Sequence, residues 1–140
     1  VNAIVRLWRS GELPIDAGLY RADGESWSVR IEAGGLAVGE PVDLEAEVDA
    51  DPDWVTEYDI WHEVALPEGG FLCCGDGSHG SDGFFARLDA QRELVWAVQL
   101  PEGNPFTDIT LDGESATFRS TSEVTIAVDL ASTEFTARRG

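Results

Sequence analysis

The chain has 140 residues, 43% of them apolar and 26% charged, a globular composition that excludes a disordered or fibrous class and suits one domain over residues 1–140. Its formal net charge is −18, with 27 acids against nine arginines and no lysine. That balance argues against nucleic acid and anionic membrane as partners, since both require basic surfaces.

The stretch VNAIVRLWRSGELPID at the start has no long apolar run before a small-residue cleavage site. No run anywhere approaches the ~20 residues that cross a bilayer, so a cytoplasmic protein is the expectation. Val1, the missing methionine and the exclusive use of arginine imply a GTG start codon in a GC-rich bacterial genome.

The charge is unevenly placed. Residues 1–30 balance four arginines against four acids, and residues 87–140 carry five against nine. Between Arg30 and Arg87 lie 56 residues with fourteen acids and no lysine or arginine. Such a block repels itself, and it serves solubility or the steering of a positive partner.

In chain order, AIVRLWR (3–9) reads as the first strand, then GLYRAD (18–23) and SWSVRIEA (26–33) around Gly24 and Glu25. PVDLEAEVDAD (41–51) has the strictest period of two. As a strand it buries Val42, Leu44, Ala46, Val48 and Ala50 and presents Asp43, Glu45, Glu47, Asp49 and Asp51 in a row, about 6.8 Å apart. In DPDWVTEYDIWHEVAL (51–66), Asp51 and Pro52 suit a helix start, with Trp54, Tyr58, Trp61 and Ala65 on one stripe. Its β-branched and aromatic residues suit a strand. A short helical turn near 52–56 leading into a strand reconciles the two.

GFLCCG (70–75), GFFARLD (83–89), ELVWAVQL (93–100) and FTDITL (106–111) follow, and SATFRS (115–120), EVTIAVDL (123–130) and TEFTAR (133–138) close the chain. Cys73 and Cys74 are adjacent, so in a strand they face opposite ways and form no bridge with each other. Neither stands at zinc-ligand spacing from His62 or His79, so no metal and no cofactor is expected. About ten short strands with at most one short helix predict an antiparallel all-β fold, a sandwich or a pair of blade-like meanders.

GFFARLDAQRELVWAVQL and VTIAVDLASTEFTARRG superpose at a spacing of 40 residues, with Asp89 over Asp129 and Ala97 over Ala137, and GLYRADGESWSVRI repeats the strand–turn–strand pattern. These segments resemble blades of quinoprotein-type β-propellers, whose repeats run Ala-x-Asp-x-x-Thr-Gly-x-x-x-Trp. Ala127 and Asp129 match the opening, and Asp89 with Trp96 follows it one residue short, without the Thr-Gly turn. The resemblance spans roughly half the chain and implies blade-like meanders. A closed propeller needs at least about four blades, and this length holds about three, so closure would take a second chain.

GDGSHGSDG (75–83) collects Asp76, Ser78, His79, Ser81 and Asp82, but it misses the Gly-x-Ser-x-Gly elbow and the strand-to-helix turn that the elbow needs. Triad members converge from separate elements, so a glycine-rich hairpin loop is the expected reading. Asp49, Asp51 and Asp53 occupy the first ligand positions of a calcium loop, yet Trp54 replaces its glycine and Ile60 its bidentate glutamate. No residue set here is catalytic by pattern.

The sharper pattern is Trp54, Tyr58 and Trp61 interleaved with Asp53, Glu57, Asp59 and Glu63, because aromatics ringed by charge build protein–protein hot spots. Against it stands the reading in which these aromatics are core and the acids a solvated face. The expected partner is a basic protein. The chain has the general character of a small acidic bacterial immunity protein, which implies inhibition of a nuclease toxin. Asp43, Glu45, Glu47, Asp49, Asp51, Asp53, Glu57 and Asp59 are the expected contacts, with Trp54 and Trp61 as anchors. A blade-like scaffold that self-associates, for instance as a homodimer, is the alternative. A small hydrolase or carbohydrate-binding domain around GDGSHGSDG is the third.

Overall fold

The computed structural model describes residues 1–32, 35–131 and 137–139. Its elements run α1 (Ala3–Arg9), β1 (Glu12–Pro14), β2 (Gly18–Arg21), β3 (Ser26–Glu32), β4 (Gly35–Pro41), α2 (Leu44–Ala50), β5 (Val55–Ala65) and β6 (Phe71–Gly77). Then come β7 (Gly83–Leu88), β8 (Leu94–Leu100), β9 (Phe106–Asp112), β10 (Ser115–Ser120), β11 (Thr125–Asp129) and β12 (Ala137–Arg139). Ala33, most of TEFTAR and its share of the 40-residue repeat lie outside the described residues.

The fold is an all-β sandwich. An eight-stranded sheet ordered β1-β5-β6-β7-β8-β2-β3-β4 packs on a four-stranded meander ordered β12-β11-β10-β9, and every pairing is antiparallel. The large sheet is covered on both faces at its centre. On one side Cys74, Phe85 and Val98 meet Phe106, Phe118 and Ile126 of the small sheet. On the other, Cys73, Phe84 and Ala97 meet Ile4 and Trp8 of α1 and Leu44 of α2. Burial on both faces explains why FLCC and GFFA read as unbroken apolar runs rather than as alternation.

Two expected strands are helices. In residues 3–9, Asn2 caps the helix by accepting a hydrogen bond from the Val5 amide at 3.2 Å. Ala3, Ile4, Leu7 and Trp8 are buried at helical spacing, a stripe that also satisfies a loose apolar alternation. In residues 44–50, Asp43 accepts from the Ala46 amide at 3.1 Å, and Leu44 and Val48 turn inward four residues apart. Alternating Ala, Glu and Leu mimics a strand, but these are strong helix formers behind a capping aspartate. The five carboxylates therefore do not form a row along a strand. Two helices stand where at most one was expected, and the turn at Pro52 and Asp53 leads directly into β5. The strands β1 and β4 had no counterpart in the sequence reading.

Between the sheets, the ring of Phe85 stacks on Phe118 with centroids 4.2 Å apart and planes at 14°, and meets Phe106 and Trp96 edge-on at 5.4 and 6.1 Å. Across the helix layer, Trp8 stacks on Tyr58 at 4.2 Å, and the Tyr58 hydroxyl donates to the Trp8 carbonyl at 2.9 Å. Gly75 lies opposite Ile60 where β5 takes an extra residue, and a Cβ there would strike the Asp59 carbonyl.

Phe118→Ala removes the stacked partner and leaves a cavity, so it is expected to lower unfolding free energy by about 3–5 kcal/mol in urea denaturation. Cys73 and Cys74 are buried on opposite faces, and burial first of all pushes both thiols up to about 12. Nearby Glu63 and Asp108 add to this for Cys73 and Cys74 respectively. An unfolded thiol ionises near 9.0, so the unfolded chain loses these protons first. Stability is then fully present below about pH 9 and falls as pH rises towards 12. Neither thiol should react with a thiol reagent at pH 8 until denaturant is added, and rapid native labelling would contradict this packing.

Candidate functional site

The arginines pair with acids outside the stretch from Glu40 to Asp59. Arg9 pairs with Glu93 at 3.3 Å, Arg21 with Asp23 at 3.5 Å, Arg30 with Glu32 at 2.8 Å and Arg119 with Asp108 at 3.6 Å. Arg92 grips Glu63 with both terminal nitrogens and lies over the Phe71 ring. These exposed pairs contribute roughly 0–1 kcal/mol each. Among the described residues, no ion pair reaches any acid from Glu40 to Asp59.

The sequence-predicted contacts fall into two groups. The first surrounds α2. Leu44, Glu47, Asp51 and Trp54 line a shallow surface cleft together with Asp16 and Tyr20. Trp54 is 52% exposed, and its indole N–H donates to Asp16 Oδ1 at 3.0 Å. The Tyr20 hydroxyl donates to the Asp16 carbonyl at 2.8 Å, and burial, then Asp16 and Glu47, hold its proton well above the usual range. The Glu47 carboxyl is pushed up by partial burial, then by Asp16 and Asp43. Asp43 and Glu45 have structural roles, since Asp43 caps α2 and Glu45 accepts the Ala3 amide at 2.6 Å at the start of α1. Asp49 and Asp53 are exposed.

The second group lies on β5. Register sets Glu57 directly opposite Glu12 on β1, and Asp59 directly opposite Asp76 on β6. Opposed residues have Cβ atoms about 5 Å apart, so each is a like-charge pair that destabilises the sheet. Residues two apart on a strand share a face, which joins the pairs into one cluster of four carboxylates. Trp61 is 60% exposed at the register shift between Ile60 and His62, so both expected anchors are on the surface. Tyr58 is half-buried against Trp8 and belongs to the core.

Asp16, Glu12 and Asp76 were absent from the expected contacts. They lie outside the densest acidic run, and nothing local ties them to it, although Asp76 stands out in GDGSHGSDG. Only cross-strand register and the packing of α2 bring them to the site.

GDGSHGSDG forms the hairpin between β6 and β7. Asp82 is buried and accepts from the Thr56 hydroxyl at 2.9 Å, while the Ser78 amide donates to Thr56 Oγ1 at 2.9 Å. The Ser78 hydroxyl lies 3.1 Å from Thr56 Oγ1, and His79 is exposed at the tip. These bonds fasten the loop to β5. Among the described residues, no group of three or more His, Cys, Asp or Glu could hold a metal ion, and no helix is long and apolar enough to cross a membrane.

The fold and surface define an all-β sandwich with an uncompensated acidic, aromatic-bearing flank. Comparison with protein-family models, curated proteins and solved structures finds no match to this chain.

A raised carboxyl pKa means that the folded state favours the neutral acid. The contribution of Glu47 is thus full at low pH and is lost as pH rises above its ordinary 4.5 and through the higher folded value. Glu47→Gln should raise Tm at pH 7 by about 1–3 °C, the range left after solvent screening of an exposed charge. In thermal melts the gain should shrink below pH 4.5 and in high salt.

Proposed function

We propose that this protein binds and neutralises a basic protein through the flank formed by α2, the 51–54 turn and β5. The single observation behind this reading is the uncompensated charge: four arginines pair off the flank and Arg92 reaches only Glu63 on β5, while Glu12–Glu57 and Asp59–Asp76 face each other as like charges. A fold that holds carboxylates in mutual repulsion gains when a cationic surface covers them. Trp54 and Trp61, both more than half exposed, supply apolar contact at its two ends.

The most concrete version is an immunity-type inhibitor of a nuclease toxin. The cleft of such an enzyme must be cationic to hold a phosphate backbone, and clustered carboxylates are complementary to it. The role is binding rather than catalysis. The Thr56–Ser78–Asp82 hydrogen bonds serve to anchor a loop, which leaves GDGSHGSDG without a catalytic part in this reading.

Affinity capture from the source organism at low salt, followed by a salt gradient, should release one basic protein. Against that protein, the triple variant Glu57→Gln, Asp59→Asn, Asp76→Asn should slow association about tenfold or more at low salt and flatten its salt dependence. Melting temperature should not fall, because repulsion is removed. Unchanged association rates would overturn the proposal, and recovery of this chain alone would favour the self-associating scaffold.

A further inference from the structure

β5 has eleven residues, yet only its first part has a neighbour on the outer side. β1 pairs with Val55, Thr56 and Glu57, and the Tyr58 amide still reaches the Gly11 carbonyl at 3.0 Å. There the chain leaves the sheet, because Gly11 sits at φ +77° between α1 and β1. From residue 59 to 65, no described strand lies along that side of β5. A row of backbone donors and acceptors faces outward there.

The side chains along this edge narrow the choice of occupant. Ile60 and Trp61 are 42% and 60% exposed, and Asp59 lies in the four-carboxylate cluster with Glu57, Glu12 and Asp76. A second copy would set these acids against their own kind and bring two chains of −18 together. A purely apolar strand would leave the carboxylates unpaired. A segment alternating basic and apolar residues meets all three demands: backbone pairing, contact with Trp61 and Ile60, and neutralised charge. Sheet proteins protect exposed edges with charges and bulges, and here the charge repels copies of the chain while favouring a cationic strand.

We infer that the open edge of β5 receives an extended basic segment of the partner as an added strand, continuing the line of β1. This rests on the reading of the chain as a binder of a basic protein, and it adds the mode of recognition. Trp61 packs against the apolar side chains of the incoming strand, and the four carboxylates meet its cations.

The test uses a synthetic peptide of alternating arginine and valine long enough to span residues 59–65, with a second version methylated at every backbone nitrogen. The two have the same charge, but only the first can donate strand hydrogen bonds. Hydrogen exchange of the amides at 59–65 should slow with the first peptide, and methylation should weaken binding about tenfold or more, because several strand hydrogen bonds are lost together. Trp61→Ala should weaken the first peptide several-fold without altering the circular dichroism spectrum. Equal binding of both peptides, or protection confined to residues 44–54, would overturn strand addition and leave the acidic-flank reading standing. Failure of both to bind, or edge amides already protected in a dimer of this chain, would overturn it as well.

Discussion

The stack of Phe85 on Phe118 is the contact on which the rest of the sandwich depends. It joins β7, the fourth strand of the large sheet, to β10 of the small one, and Phe106 and Trp96 close around it. Because Phe84 and Ala86 on the same strand point the other way, β7 also anchors the helix layer. One strand thus carries two cores. Aromatic pairs of this kind add roughly 0.5–1.5 kcal/mol beyond the area they bury.

That double core is what lets the flank hold so much charge. The acids of α2 and β5 lie at the rim, and their repulsion is spread over mostly solvent-exposed positions. The helix layer fixes the rim through few contacts: Leu44 and Val48 under α2, Trp8 on Tyr58, and Glu45 on the Ala3 amide. The acidic flank is therefore held by a large, mostly apolar interior.

The sequence was legible where burial sets the pattern. The alternation of Cys73 and Cys74 to opposite faces, the strands from β6 to β11 and the glycine-rich hairpin all follow from periodicity and turn residues. It misled where two periods coincide. Leu44, Ala46, Val48 and Ala50 satisfy a strand's alternation, but Leu44 and Val48 alone satisfy a helix, and the capping Asp43 decides between them. AIVRLWR fails in the same way behind Asn2. The acidic composition of the flank was visible, whereas its geometry was not. The like-charge pairs of Glu12 with Glu57 and of Asp59 with Asp76 depend on register, which no local stretch encodes.

The bonds made by Asp43 and Glu45 divide the acidic block into two kinds of position under mutational drift. Asp43 holds a helix amide and Glu45 reaches across to a second helix, so their length and acceptor atoms matter as well as their charge. Asp49 and Asp53 stand free in solvent, where aspartate and glutamate could replace each other and even trade places along the chain. Lineages of this protein would then keep the total charge of the flank while shuffling its residues, with two fixed points inside an otherwise fluid sequence.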